Sequence, residues 1–324
     1  MTRWLVTIGL LLPTIAVAQE QHSALAAHGD AASQIATLTW MLLALAGFVF
    51  ALVAAATWVA LAGPAQLRAM LARRQTIVVA GFVFPVVVLS VLLFTGLRLT
   101  AALTSDAANP LKISVRGEQW WWRVSYGSPD GGRFESANEI RIPVGRPVQF
   151  ELTTADVIHS FWIPSLAGKM DMIPGRVTSL RLSANRPGIY RGICAEYCGG
   201  PHAWMALSVI AVPQAEFDDW LRNARQPPSL NAPQRQGGEL FMRAGCGGCH
   251  SIAGTEANGS IGPALTKLGA RRMLAAGALP MNQQNIARFI SHGPEIKPGN
   301  KMPPFRMFSA AELSDLSAYL MAQR

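Results

Sequence analysis

The chain has 324 residues, half of them hydrophobic, and carries 28 Lys and Arg against 19 Asp and Glu, a formal net charge of +9. That length leaves room for about two domains at roughly 150 residues each. A basic excess can signal nucleic acid, but the arginines form no interleaved basic and aromatic stripe, and the apolar segments below describe an exported, membrane-anchored chain, which excludes that partner.

Residues 1–18 read as an export signal: Arg3, an apolar run over 4–17, and the small-residue site Ala16-Val17-Ala18. The alternative is an uncleaved first membrane helix, although this apolar core falls short of the ~20 residues a span needs. Within 19–98, the segments 38–62 and 77–97 are charge-free and long enough to cross a bilayer. Trp40 and Trp58 fall toward the two ends of the first span, where amphipathic rings suit the membrane interface. Arg68, Arg73 and Arg74 between the spans have no acidic neighbour, so this connection is expected in the cytoplasm and everything after the second span outside.

From 99 to 225, short segments separated by Gly, Pro, Asn and Asp clusters read as strands: 111–115, 139–144, 148–152, 180–182, 188–193 and 206–212. Val148, Phe150 and Leu152 alternate with Gln149 and Glu151, giving each strand one buried face. The spacing predicts an antiparallel sandwich or small barrel. A short helix over 215–224, with Phe217, Trp220 and Leu221 on one face, closes this domain.

The proline-rich stretch 226–234 reads as a semi-rigid extended linker, nine residues reaching at most about 30 Å. From 235 to 324 the pattern is helical. Ser309-Ala-Ala-Glu312 is a capping box ahead of a final helix that presents Leu313, Leu316 and Leu320 on one face. Residues 99–232 hold 13 basic against 12 acidic side chains and residues 233–324 hold 10 against 5, so the surplus belongs to the last domain.

Two motifs use all four cysteines. The first packs Cys194, Cys198, His202 and Met205 into one loop, and two thiolates projecting from one loop could bridge a pair of copper ions. His159, at the edge of a β-like run, is the best further ligand. A disulfide between the cysteines, a zinc site with the two histidines, and inert buried thiols are the competing readings. Met205, three residues after His202, favours copper, because a thioether is not among the usual zinc donors. The second motif, Cys246-Gly-Gly-Cys249-His250, reads as covalent c-type haem attachment with His250 beneath the iron. A thioredoxin-like pair is the other reading of such spacing, but no strand leads into Cys246. Met273, Met281, Met302 and Met307 are candidates for the sixth iron ligand, and His292 would give bis-His ligation.

The loop Cys194-x-Glu196-x-Cys198-Gly-x-x-His202-x-x-Met205, the segment Val157-Ile-His159-Ser-Phe-Trp-Ile-Pro164 and Ile173-Pro-Gly-Arg176 resemble subunit II of haem-copper cytochrome c oxidase. Residues 235–324 resemble a class I cytochrome c, with Asn300-Lys-Met302-Pro-Pro-Phe305 similar to its methionine loop and Gly262-Pro263 to the segment that accepts the ring N–H of the proximal His. The resemblance implies a multidomain membrane protein: two transmembrane α-helices, a β-sandwich or barrel cupredoxin-like domain, and an all-α cytochrome c domain. It further implies a dinuclear CuA centre held by His159, Cys194, Cys198, His202, Met205 and the Glu196 backbone carbonyl, with the Glu196 side chain reaching a Mg ion shared with subunit I. One haem c would be attached at Cys246 and Cys249 with His250 and Met302 as axial ligands. Trp120, the first Trp of Gly117-Glu-Gln-Trp120-Trp121-Trp122, matches the residue regarded as the family's point of electron input, although such a triplet also serves as core packing.

The implied role is the electron-input subunit of a respiratory oxidase in the bacterial inner membrane, with its C-terminal domains on the periplasmic side. Electrons would come from an external cytochrome c or cytochrome complex, and subunit I, with subunit III beside it, would reduce oxygen to water and translocate protons. With six His in all and none in either span, this chain carries no oxygen-reducing pocket of its own. One departure from some family members is the lack of any Asp or Glu between Asp30 and Asp106, with Gln75 near the place of a proton-channel acid. A stand-alone membrane-anchored periplasmic electron carrier and the CuA subunit of a nitric oxide reductase relative are the alternatives.

Overall fold

The computed structural model describes residues 22–105, 109–127 and 133–324; the export signal expected over 1–18 lies outside them. Helix α1 (Asp30–Ala62) has 33 residues, which at 1.5 Å rise is about 50 Å and exceeds a hydrocarbon core of about 30 Å. A short α2 (Ala65–Leu71) leads to α3 (Arg74–Val78), a π-helical segment Val79–Val83, and α4 (Phe84–Thr104). The π segment ends two residues before Pro85, whose missing N–H and ring displace the regular ladder. Both long helices thus run beyond the expected spans 38–62 and 77–97, and their apolar windows bury nothing within the chain.

The extra length is spent on attachment. The α1 start docks on the β domain through the Ala32 N–H to the Leu166 carbonyl (3.1 Å), the His28 N–H to the Ser165 carbonyl (2.7 Å) and the Ser183 hydroxyl to Asp30 (3.1 Å). Arg181 donates to the Ala102 carbonyl at 2.7 Å, a cation at the C-terminal end of α4 where the helix dipole favours one.

Ten strands make two five-stranded sheets: β1 (Leu111–Glu118), β2 (Trp121–Gly127), β3 (Arg133–Ala137), β4 (Glu139–Pro143), β5 (Val148–Thr154), β6 (His159–Trp162), β7 (Met170–Met172), β8 (Thr178–Leu182), β9 (Gly188–Cys194) and β10 (Ala206–Val212). Their orders are β3-β2-β1-β5-β8 and β4-β10-β9-β6-β7. The expected purely antiparallel arrangement is corrected here, because β1 pairs parallel with β5 and β4 parallel with β10. These pairings join strands distant in sequence, so no turn signal announces them. The expected alternation in β5 holds: Val148, Phe150 and Leu152 are fully buried. They join Trp122 and Phe161, whose rings meet edge to face at 5.6 Å, in the core between the sheets. Helix α5 (Gln214–Arg222) closes one side, burying Phe217 and setting Trp220 against Tyr126 at 5.2 Å.

The helical domain begins earlier than expected. Asn231 caps α6 (Ala232–Arg243) in a reciprocal capping box with Gln234, and a proline in the first turn suits a position whose N–H would be unpaired anyway. The first residues of α6 thus fall inside the stretch expected as linker. Helices α6, α7 (Gln283–Ile296) and α8 (Ala310–Ala322) enclose a second core around Phe241, Leu316 and Tyr319, with a two-residue ladder of β11 (Met273–Leu274) and β12 (Leu279–Pro280) as the sole sheet pairing among named strands there. Helix α7 breaks at His292, two residues before Pro294. The Ser309 capping box forms as expected.

Candidate metal and haem sites

Strand β9 ends on Cys194 and β10 starts at Ala206, which pairs with Ile193, so residues 195–205 form a loop between hydrogen-bonded neighbours. The Cys194 N–H to the Met205 carbonyl (3.0 Å) closes its base. His159 opens β6, beside β9, and is fully buried. Within this frame the Cys194 and Cys198 sulfurs lie 3.8 Å apart, His159 Nδ1 lies 3.8 Å from Cys194, and His202 Nδ1 lies 3.4 Å from Cys198. The Met205 sulfur is 3.7 Å from Cys198, and the Glu196 carbonyl is 3.1 Å from the Cys194 sulfur. All six residues singled out in the sequence converge.

The sulfur separation is well beyond the ~2.05 Å of a disulfide, and both thiols are free. His159, Cys194 and Cys198 present ligand atoms within 4.8 Å of one another. Two thiolates, two imidazoles and a thioether form a soft donor set that fits copper. Asp156 holds His159 Nε2 at 2.8 Å, which fixes the ring with Nδ1 toward the sulfurs. Hydrogen bonding from Cys198 pulls the Cys194 thiol down to about 4, against its burial, while the same contact pushes Cys198 up. Burial opposes ionisation of His159, but Cys194 and Asp156 outweigh it and raise its pKa. The Glu196 carboxylate is nearly half exposed, 3.7 Å from Lys169.

The second site is a cavity of about 510 Å³, within the ~300–1,000 Å³ usual for cofactor pockets. Cys246, Cys249 and His250 lie on its wall, as do Leu265, Leu316 and Leu320. The Cys246–Gly248 turn presents the cysteines. His250 Nδ1 meets the Pro263 carbonyl at 2.8 Å, leaving Nε2 as the ligand nitrogen. A Cβ at Gly262 would come within 2.5 Å of that imidazole, so only glycine lets the two approach. Burial lowers the His250 pKa, favouring the neutral ring. Arg271 and Asn300 also line the cavity; Arg271 Nη2 donates to the Ala264 and Thr266 carbonyls, while Arg271 Nε and Asn300 Nδ2 are buried without a hydrogen-bond partner among the described residues. Burial draws Arg271 down to about 10. An apolar cavity with one ring-nitrogen ligand, two cysteines and orphaned cationic and amide donors fits a covalently attached porphyrin and its carboxylates. Met302 lies on the wall, as does Met273, whereas Met307 is 74% exposed and His292 is exposed, its Nδ1 held by Ser291 at 2.7 Å.

The two sites share a boundary. Trp120 and Trp121 also line the cavity, and the Trp120 indole donates to the Cys198 carbonyl at 2.9 Å, beside Gln119, which donates to the same oxygen at 2.8 Å. Trp122 packs in the core and donates to the Met205 carbonyl at 3.3 Å, so the aromatic triplet divides its roles. Gln119, Arg271 and Lys297 escaped sequence reasoning, since no local pattern marks them and Gln119 and Lys297 bond residues far away in the chain, Cys198 and Trp120.

Residues 127–212 match the family model "Cytochrome C oxidase subunit II, periplasmic domain", and residues 234–324 match "Cytochrome c". The chain is 36% identical over 239 residues to cytochrome c oxidase subunit 2 of Alkalihalophilus pseudofirmus, covering 72% of this chain and 68% of that one. It is 32% identical over 226 residues to the Bacillus subtilis subunit 2, covering 66% and 62%. The solved periplasmic domain of cytochrome oxidase subunit II from Bradyrhizobium japonicum is 33% identical, with 38% of this chain and 98% of that one covered and a TM-score of 0.35. The chain belongs to the cytochrome c oxidase subunit II family, and it carries a cytochrome c domain behind the copper-type domain.

Proposed function

We propose that this chain is the electron-input subunit of a respiratory oxidase, with the haem site receiving electrons and the copper site passing them to subunit I. The observation that carries this reading is the shared boundary: one tryptophan, Trp120, both lines the haem-type cavity and hydrogen-bonds the backbone of Cys198. When bound, the haem and the copper pair supply one-electron carriage without proton chemistry.

The chain's own residues have distinct parts in this reading. His159, Cys194, Cys198, His202, Met205 and the Glu196 carbonyl hold CuA. The Glu196 carboxylate, nearly half exposed beside Lys169, would hold a Mg ion shared with subunit I. Cys246 and Cys249 would tether a single haem c, and His250, in the tautomer set by Pro263, and Met302 would hold its iron. The two apolar helices seat the chain in the bacterial inner membrane against subunit I, with subunit III beside it, leaving the copper and cytochrome domains on the periplasmic side to meet an external cytochrome. Reduction of oxygen to water and proton translocation belong to subunit I.

The near balance of charge on the copper domain, 13 against 12, supports a tethered donor, because a short linker supplies local concentration that a free donor must gain by electrostatic steering. The experiment is a transient one on the purified complex: reduce the haem with a short pulse and follow the copper absorbance. One electron leaving the haem must appear at the copper, and Trp120→Phe should slow its arrival. Haem reduction with no copper response would overturn the reading.

A further inference from the structure

Lys297 is only 4% exposed, burial draws its ammonium down to about 7, and the electron-input reading gives it no role. It follows directly on the broken end of α7, where Pro294 has ended the regular helix and the Lys297 N–H bonds the Gly293 carbonyl at 2.8 Å. The turn aims its side chain at the boundary between the two domains. The ammonium donates to three carbonyls: Trp120 at 2.7 Å, Trp204 at 2.8 Å and Ala275 at 2.8 Å. An ammonium has three N–H donors, and all three are used.

The identity of those acceptors is informative. Trp120 contacts Cys198 through its indole, and Trp204 lies between His202 and Met205 in the loop. Only Ala275 belongs to the helical domain. A buried cation without such partners would be costly, so this arrangement is favourable only while the two domains are in contact. The surroundings agree: the Ala206 N–H, next to Met205, bonds the Ala276 carbonyl at 2.9 Å, and a Cβ at Gly299 would meet the Trp120 ring at 2.8 Å. The chain from 297 to 299 therefore presses directly on Trp120.

We propose that Lys297 is a positioning residue for electron transfer within the chain. By gripping the Trp120 and Trp204 carbonyls, it holds the cytochrome domain in the one pose that sets Trp120 between the Cys198 backbone and the haem cavity. The proposal rests on the electron-input reading above.

The test uses the intact, fully loaded oxidase complex and pulsed one-electron reduction of its haem. Lys297→Met is expected to slow haem-to-copper transfer by about ten-fold or more, since truncating one partner of a buried, charged hydrogen-bond set commonly loosens a contact by at least that factor. The haem spectrum, the copper spin-resonance signal, the haem potential and haem reduction by a small dye should all be unchanged. Lys297→Gln, which keeps two N–H donors on a shorter stem, should fall between Met and Lys and carries the test if the Met variant fails to load. Arg123→Met removes a different cross-domain bond, to the Ser260 carbonyl at 2.8 Å, together with the pairing to Glu118 at 2.7 Å and the stacking over Trp121 at 4.7 Å; none of these contacts reaches Trp120 or the loop, so the rate should stay within about two-fold. Transfer at the native rate in both Lys297 variants, an equal slowing in Arg123→Met, or altered haem or copper spectra would overturn the positioning role while leaving the electron-input reading intact. A native complex that reduces its haem but never its copper would overturn both.

Discussion

The two candidate centres are built on opposite plans. At the copper-type site the protein supplies nearly everything: two neighbouring strands and a closed loop bring six donor groups together, with three of them within 4.8 Å of one another. At the haem-type site it supplies a container of about 510 Å³ whose polar wall atoms, Arg271 Nε and Asn300 Nδ2, lack partners among the described residues. The first fold can exist before its metal. The second would gain packing contacts from a bound ligand, since helices α6, α7 and α8 line a largely apolar cavity.

The largest effect should come from testing that asymmetry. Replacing Cys246 and Cys249 together by Ala should leave residues 232–324 susceptible to limited proteolysis, while the β domain keeps its resistance and its copper signals. A helical domain that stays resistant would show that the container is self-supporting. Next, Cys198→Ser should abolish the optical and spin-resonance signals of the copper pair while the haem spectrum is retained. Retention of the copper signals would rule out the bridging assignment.

A smaller change sharpens the axial assignment. Met302→His should lower the haem potential by on the order of 0.1 V, within the roughly 0.8 V range that axial ligands command. An equilibrium redox titration checks it, with the exposed Met307→Leu expected to leave the potential in place. Smallest of all, Ser309→Ala should destabilise the helical domain by about 1 kcal/mol through loss of the α8 cap, read by thermal unfolding of the holo chain. Ser309 also holds the Glu312 carboxyl below its ordinary range. That contribution is therefore complete above the ordinary carboxylate pKa and disappears as pH falls through the lowered one.

Much of this was legible from local pattern. The strand 206–212 falls where expected, the Ser309 cap forms, and the ligand loop converges as its spacing suggests, because all these depend on neighbours close in sequence. Strand β2 was hidden by the Trp triplet, whose apolar residues mask the alternation of period two. Helix α7 was obscured by Pro294 within it, and α6 starts at Ala232 because Asn231 supplies a cap in what composition alone presents as linker. The parallel β1–β5 and β4–β10 pairings and the Lys297 contacts depend on residues far apart in the chain. Nothing in a short window encodes them.

The closed ring of contacts over Trp120 also bears on supply. A carrier fused to its acceptor through the segment ending at Asn231 is present at one copy per acceptor, whatever the cell makes of free carriers, and neither dilution nor salt can starve the copper centre. On the proposed electron-input reading, the rate-limiting encounter would move outward to the haem, where selection on partner choice would then act.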